Sequence, residues 1–289
     1  MDESVKLPAK QGPVADEPAA DPGTQDERKA RAVLSRRQAL MAFAAAGSAL
    51  AAGPLAGALS RGHDGTDPTH AGQEPGPPRR WAMVIDLRRC DGCKKCTEAC
   101  QAKHYLPPEQ EWIKVYNLRD RHGVEFSVPR PCMHCEDAPC VRVCPVSATF
   151  VDRDGLVLVD QDKCIGCRLC MAACPYEARY FNWTKPTVGP PLPTQATPEF
   201  PSPQQQGTVG KCVLCVHNIK YGELPYCVDA CTMDALYVGD LDADVATNGT
   251  ETVRLSTFLS ENNAIRLKEE LNTKPRVWYI PGHGEDLEW

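Results

Sequence analysis

The sequence predicts an α+β fold in which two related units are interleaved over residues 81–252. Three observations support this prediction: all 16 cysteines lie between Cys90 and Cys231, they form four sets of four, and short strand and turn signals recur beside the sets. Aromatic residues make up only 7% of the chain. Because apolar packing is therefore thin, we expect metal bound to cysteine to fill part of the interior.

Residues 1–59 have the features of an export signal. Ser35, Arg36 and Arg37 precede a run of small apolar residues from Ala39 to Leu59, which resembles a twin-arginine signal, and that route carries folded proteins. An ordinary leader with two chance arginines is the alternative. Residues 60–80 are rich in Gly and Pro without periodicity, which predicts a flexible linker.

The four cysteine sets share a spacing of two residues between the first two members and three before the last. They are Cys90-Cys93-Cys96-Cys100, Cys132-Cys135-Cys140-Cys144, Cys164-Cys167-Cys170-Cys174 and Cys212-Cys215-Cys227-Cys231. Three cysteines spaced by two residues wrap one [4Fe–4S] cluster, and the fourth, on the following helix, binds the other cluster of a pair. Gly92 and Gly166 lie inside two such loops, where a tight turn needs a permissive backbone.

Two other uses of the cysteines explain the pattern less well. Zinc sites take four ligands from paired CxxC units, which leaves a surplus third cysteine in the first and third sets. Zinc in the irregular fourth set alone stays open. A disulfide framework suits an exported chain with an even number of cysteines, but two-residue spacings put the cysteines too close in sequence for a sensible pattern of bridges.

The chain around the sets repeats as strand, cysteine loop, short helix and strand. The segment from Ile85 to Cys93 matches the segment from Val159 to Cys167. Ala148, Ala178 and Ala235 each stand four residues after the last cysteine of a set. Two such units form one bacterial ferredoxin-like fold that binds two [4Fe–4S] clusters, so four sets imply two ferredoxin-like folds.

The second and third sets share a predicted hairpin around Asp154-Gly155, a turn sequence typical of hairpins. They should therefore pair, and the first and fourth sets must then close on each other around them.

The predicted parts are an inserted middle unit (131–182), a Pro/Gln-rich loop (183–210) and a C-terminal helical extension (253–289) with a helix over Leu255–Leu271 capped by Ser256. The loop is either a disordered linker or a partner-wrapping segment.

These motifs resemble the electron-transfer subunits of membrane-bound molybdopterin oxidoreductases of the dimethyl sulfoxide and polysulfide reductase type. The resemblance covers about residues 80–282 and rests on the cysteine sets, on Pro145 and Pro175, and on the closing run from Leu267 to Pro281. It implies four [4Fe–4S] clusters in which paired sets exchange their last cysteines. The implied ligand sets are Cys90, Cys93, Cys96 and Cys231; Cys212, Cys215, Cys227 and Cys100; Cys132, Cys135, Cys140 and Cys174; and Cys164, Cys167, Cys170 and Cys144.

The implied function is electron conduction between an integral-membrane quinone-reactive subunit and a molybdopterin or cytochrome redox subunit, at the outer face of the cytoplasmic membrane. The sequence shows no nucleophile, substrate motif or nucleotide-binding loop, so we expect no catalytic residue. A formal net charge of −6 and a pI near 5.7 argue against a nucleic-acid partner. A freely diffusing polyferredoxin and a zinc-stabilised interaction protein are the alternatives.

Several polar residues lie beside the cysteines. His134 and His217 are expected to hydrogen-bond a cluster sulfur or the backbone rather than to bind iron. Five cations could shift a cluster's reduction potential, dock a partner or simply face solvent. They are Lys94, Lys95, Lys163, Arg168 and Lys211.

Overall fold

The computed structural model describes residues 77–119, 123–185 and 196–282. Strands β1 to β11 are Trp81–Asp86, Lys114–Arg119, Glu125–Arg130, Thr149–Val151, Val157–Val159, Tyr180–Phe181, Val209–Gly210, Leu236–Asp240, Val245–Thr247, Thr252–Arg254 and Val277–Ile280. Helices α1 to α6 are Lys95–His104, Pro139–Arg142, Leu169–Ala172, Val216–Ile219, Tyr226–Asp229 and Leu255–Glu261, and a 3-10 turn covers Glu269–Leu271. The mixture of short helices and small sheets confirms the predicted α+β class.

The largest sheet has the strand order β10-β9-β8-β1-β11. Neighbouring strands are antiparallel except for β1 and β11, which run parallel. The predicted repeat places β1 before the first cysteine set and β8 after the fourth. Their direct pairing, together with the packing of α1 on α5, shows that the two ends of the cysteine region close on each other.

Strand β1 is buried on both faces, which explains its nearly unbroken apolar sequence. Successive side chains of a strand point to opposite faces. Met83 and Ile85 accordingly pack in the large apolar cluster that also contains most of the cysteines. Ala82 and Val84 pack on the other face with Leu255 of α6.

The second and third cysteine sets contact each other. β4 and β5 pair as the predicted hairpin, with Phe150 opposite Leu158, and α2 packs on α3. The helices here have only four residues each. As a result Cys144 and Cys174 lie just beyond a helix end, whereas Cys100 lies within α1, so the expectation of a fourth cysteine on a helix is correct only for the first set.

The predicted helix over Leu255–Leu271 is wrong in its length and in its cap. Helix α6 ends at Glu261, and its N-cap residue is Arg254. Ser256 instead donates hydrogen bonds to Asp244, at 2.7 Å from its backbone nitrogen to Oδ1 and 2.8 Å from its Oγ to Oδ2.

The C-terminal extension becomes part of the main sheet. Ile265 exchanges two backbone hydrogen bonds of 2.8 Å with Tyr279, and these long-range bonds compete with continuation of α6. Strand β11 then pairs with β1, with Ile85 opposite Tyr279. The extension is therefore a helix, a turn and a strand rather than a helical appendage.

The two predicted loops make specific contacts where the structure describes them. At the end of the predicted linker, Arg79 pairs with Asp240 and Arg80 with Asp242. In the Pro/Gln-rich loop, Ser202 is buried and donates a 3.0 Å hydrogen bond to the carbonyl of His104. The part of the loop from residue 196 onward thus packs on its own chain. Among the residues that the structure describes, no helix is both long and apolar enough to span a bilayer.

Candidate iron–sulfur cluster sites

Two glycines allow the chain to turn tightly inside the cysteine loops. Gly92 has a φ of 75°, and a Cβ there would lie 2.3 Å from Oγ of Ser127. Gly166 has a φ of 69°, and a Cβ there would lie 2.2 Å from the carbonyl oxygen of Gly207. Any side chain would be strained and would collide at both positions, so the predicted need for glycine is confirmed.

The first and fourth cysteine sets together form two tetrads of thiols. Site 1, which consists of Cys90, Cys93, Cys96 and Cys231, lines one cavity beside Gly92 and Leu236. Site 2 consists of Cys100, Cys212, Cys215 and Cys227, whose thiols interact electrostatically with one another. In each site, three thiols from one set meet the last thiol of the other set.

The second and third sets form two further tetrads by the same exchange. Site 3 consists of Cys132, Cys135, Cys140 and Cys174, whose thiols interact electrostatically. Site 4 consists of Cys144, Cys164, Cys167 and Cys170, which line a second cavity. The structure therefore brings together all sixteen cysteines in the groupings that the resemblance implies.

The sites differ in their exposure to solvent. Cys93 of site 1 and Cys167 of site 4 are exposed, and each of these sites has only one buried cysteine. All four cysteines of site 2 are buried, as are all cysteines of site 3 except Cys174. Sites 1 and 4 are therefore accessible to solvent, and sites 2 and 3 are enclosed.

The thiols accept hydrogen bonds from the backbone that follows them. Ala235 N lies 3.3 Å from Sγ of Cys231, and Thr149 N lies 3.5 Å from Sγ of Cys144. Within a set, Leu214 N lies 3.4 Å from Sγ of Cys212. Burial raises the pKa of Cys144, but hydrogen bonds from the following backbone outweigh burial and lower that pKa, which favours the ionised form of sulfur that binds metal.

Burial has the opposite effect on the enclosed thiols. It raises the pKa of Cys96 and of Cys135 to about 12, and raises that of Cys227 well above its usual value. Without metal these thiols would therefore be neutral at physiological pH, and metal binding must displace their protons. Tetrads of sulfur donors suit zinc or iron–sulfur chemistry rather than hard cations, so the donor set fits [4Fe–4S] clusters, which take up and release single electrons when bound.

The histidines make the contacts that were expected, and a third histidine was missed. His134 Nδ1 accepts a 3.2 Å hydrogen bond from Val157 N, and His217 Nδ1 lies 3.1 Å from the carbonyl of Glu199. His104, which the sequence analysis did not single out, places Nε2 3.4 Å from Sγ of Cys215. His104 lies one helical turn after Cys100, and that spacing was the available signal.

The flanking cations separate into surface and interior groups. Lys163 is exposed and pairs with Asp160, and Arg168 stacks on the ring of Trp183. Lys211 is fully buried and interacts with the thiol of Cys212. The sequence analysis also missed a buried cation, Arg179, whose Nη2 lies 2.9 Å from Sγ of Cys140. Its position directly after Ala178, in the repeated exit of a cysteine set, was the signal that could have identified it.

Comparison with known proteins supports this assignment. Residues 89–148 and residues 124–189 each match a family described as a 4Fe-4S dicluster domain. The chain is 37% identical over 224 residues to a subunit of selenate reductase from Mesobacillus selenatarsenatis, and the match covers 70% of this chain and 72% of that relative.

Two further relatives are similar over the same region. A subunit of tetrathionate reductase from Salmonella typhimurium is 36% identical over 214 residues, which covers 72% of this chain and 74% of the relative. The iron–sulfur cluster-binding subunit of menaquinone reductase from Nitratidesulfovibrio vulgaris is 36% identical over 234 residues, which covers 70% of this chain and 88% of the relative.

The tetrads and the dicluster matches together define an electron-transfer protein that binds four [4Fe–4S] clusters. More particularly, the chain belongs to the family of iron–sulfur subunits of molybdopterin oxidoreductases of the dimethyl sulfoxide and polysulfide reductase type. None of the sixteen cysteines forms a disulfide in the structure. The predicted export signal lies outside the described residues.

The exposure of the sites predicts how the protein loses iron. In the anaerobic holoprotein, an excess of a strong iron chelator should remove about half of the iron quickly, from sites 1 and 4, and the rest slowly. The physical reason is that water and chelator reach Cys93 and Cys167 without opening the fold. Absorbance of the iron–chelator complex measures the rate, and protein unfolded in denaturant is the control with one fast phase. Release in a single phase from the folded protein contradicts the prediction.

Proposed function

We propose that the chain relays electrons between an integral-membrane subunit that reacts with quinone and a catalytic molybdopterin or cytochrome partner. The observation that carries the proposal is the serial order of the four sites. Cys96 of site 1 interacts with Cys227 of site 2, and Cys212 of site 2 interacts with Cys132 of site 3. Each site is thus adjacent to the next, and the menaquinone reductase relative supports a quinone-linked role.

The last step of the series joins sites 3 and 4. The side chain of Arg179 contacts Cys140 of site 3 and Cys170 of site 4. The two exposed cysteines, Cys93 and Cys167, belong to the first and last sites. Electrons can therefore enter at one end and leave at the other while the enclosed sites stay away from solvent.

The end that contains site 4 carries an exposed apolar patch. Ile165 is 64% exposed, Leu169 is 51% exposed and Trp183 is 66% exposed. Ile165 lines the cavity of site 4, and Trp183 contacts Arg168 in the same loop. Large exposed apolar side chains grouped at one place mark an interaction surface, and we assign this end to the membrane subunit.

We further propose that the sixteen cysteines bind the clusters in the four tetrads described above. The double variant Cys90→Ala/Cys231→Ala should lose no more than one cluster, because both thiols belong to site 1. The variant Cys227→Ala/Cys231→Ala should lose two clusters, because Cys227 belongs to site 2 and Cys231 to site 1. These two cysteines are nevertheless closer in sequence than Cys90 and Cys231. Iron and acid-labile sulfide per chain measure the loss. If the first variant loses two clusters, the exchange of ligands between the sets is wrong.

The apolar patch can be tested without disturbing the clusters. Ile165→Asp and Leu169→Asp, each alone, should retain full iron and weaken co-purification with the membrane subunit at least tenfold, because burying a carboxylate at an interface is costly. Leu271→Asp, at an equally exposed position (48%) in the C-terminal extension, is the matched control. Unchanged association of both patch variants would remove the case for this surface, and a chain that never associates with membranes would favour the free electron carrier.

Export is the third part of the proposal. The cysteine-rich region must receive its clusters before it crosses a membrane, which suits a route for folded proteins. Arg36→Lys/Arg37→Lys should therefore leave the protein on the cytoplasmic side with its clusters intact, and Arg28→Lys/Arg31→Lys is the control pair. Protease accessibility in spheroplasts measures the sidedness. Equal export of both pairs would indicate an ordinary leader.

A further inference from the structure

Arg179 occupies a distinctive place between sites 3 and 4. Its side chain is buried, with 5% of the residue exposed. Nη2 donates to Sγ of Cys140 at 2.9 Å, Nη1 donates to Oγ1 of Thr149 at 3.2 Å, and the guanidinium also hydrogen-bonds the thiol of Cys170. One guanidinium therefore contacts sulfur ligands of two neighbouring clusters.

Within the described part of the chain, no carboxylate balances the charge of Arg179. Across residues 77–119, 123–185 and 196–282, no acidic side chain forms an ion pair with this arginine, and its attractive partners are the thiols of sites 3 and 4. An isolated buried cation is unfavourable, so the sulfur ligands of sites 3 and 4 supply its counter-charge.

The other half of the molecule shows that the scaffold itself does not need this cation. In the repeated exit from a cysteine set, Arg179 follows Ala178, and Leu236 follows Ala235 at the matching position. Leu236 is 1% exposed and lines the cavity of site 1. The same local structure therefore accepts an apolar side chain there, and arginine between sites 3 and 4 serves another purpose.

We propose that Arg179 tunes electron transfer by raising the reduction potentials of the clusters at sites 3 and 4 together. Reduction adds negative charge to a cluster, and a fixed cation in a low-dielectric interior stabilises the added charge. Because a single guanidinium contacts Cys140 and Cys170, its removal affects both clusters. The inference deepens the proposed relay and rests on it, but the potentials are measured on the isolated holoprotein, whatever its partners are.

Three variants of the full-length holoprotein test the proposal. Arg179→Leu copies the residue of the other half, and Arg179→Lys keeps the charge. Arg142→Leu removes an exposed arginine, paired with Asp137, from the chain between Cys140 and Cys144, and so controls for net charge. An anaerobic redox titration followed by electron paramagnetic resonance gives the four midpoint potentials, and iron analysis gives the cluster content.

In Arg179→Leu, two of the four midpoint potentials should move to lower values, while the other two stay in place. In Arg179→Lys the decrease should be smaller, and in Arg142→Leu no midpoint should move. Four unshifted midpoints in Arg179→Leu with full iron content overturn the proposal, as does an equal shift in Arg142→Leu. If Arg179→Leu loses clusters, Arg179→Gln is titrated instead, because glutamine keeps a hydrogen-bond donor without the charge. Four unshifted midpoints in Arg179→Gln with full iron content then overturn the proposal. Loss of clusters in all three Arg179 variants shows a purely structural role and also overturns it.

Discussion

The structure depends on shielding most of its sixteen thiols from bulk water while giving their ionised forms a partner. Most of the cysteines belong to the main apolar cluster, together with residues such as Met83 and Val128. Burial by itself favours the neutral thiol, as the raised pKa values of Cys96 and Cys135 show. Iron reverses that preference, so folding and cluster binding stabilise each other. A chain with few aromatic residues can then form a closed interior, because the clusters occupy the space that large side chains fill in other proteins.

Exchange of the last cysteine between paired sets determines the topology. Site 1 forms only when Cys231 reaches the loop that begins at Cys90, and the antiparallel pairing of β1 with β8 brings these two segments together. The middle pair needs only the short β4–β5 hairpin, because its sets are close in sequence. This difference explains why the outer pair has the larger sheet. Strand β11 adds to that sheet on the far side of β1, so the C-terminal extension supports the site that requires the longest-range contact.

The parts of this fold that are predictable from sequence are those encoded by local spacing. The cysteine sets, the turns at Gly92 and Gly166, and the hairpin around Asp154 are each defined within 20 consecutive residues or fewer, and the structure contains all of them. The end of α6 and the pairing of β11 with β1 were not foreseen, because Ile265 and Tyr279 meet only in the folded chain. The same limit applies at the sites. Lys211 was recognised because it adjoins Cys212, whereas Arg179 and His104 reach their sulfur atoms from other parts of the chain.

The arrangement of charge along the four sites follows from their burial. An exposed cluster is stabilised in its more negative, reduced state by water, and an enclosed cluster lacks that solvation, which lowers its reduction potential. An interior site that was much harder to reduce than its neighbours would obstruct a series of electron transfers. Lys211 is buried near the thiols of Cys212 and Cys140, at the junction of sites 2 and 3, and Arg179 occupies the junction of sites 3 and 4. These two cations take the place of water where the fold excludes it. We expect the enclosed middle of the series to remain reducible for this reason, so that the protein keeps solvent away from its inner clusters without interrupting the path between its two exposed ends.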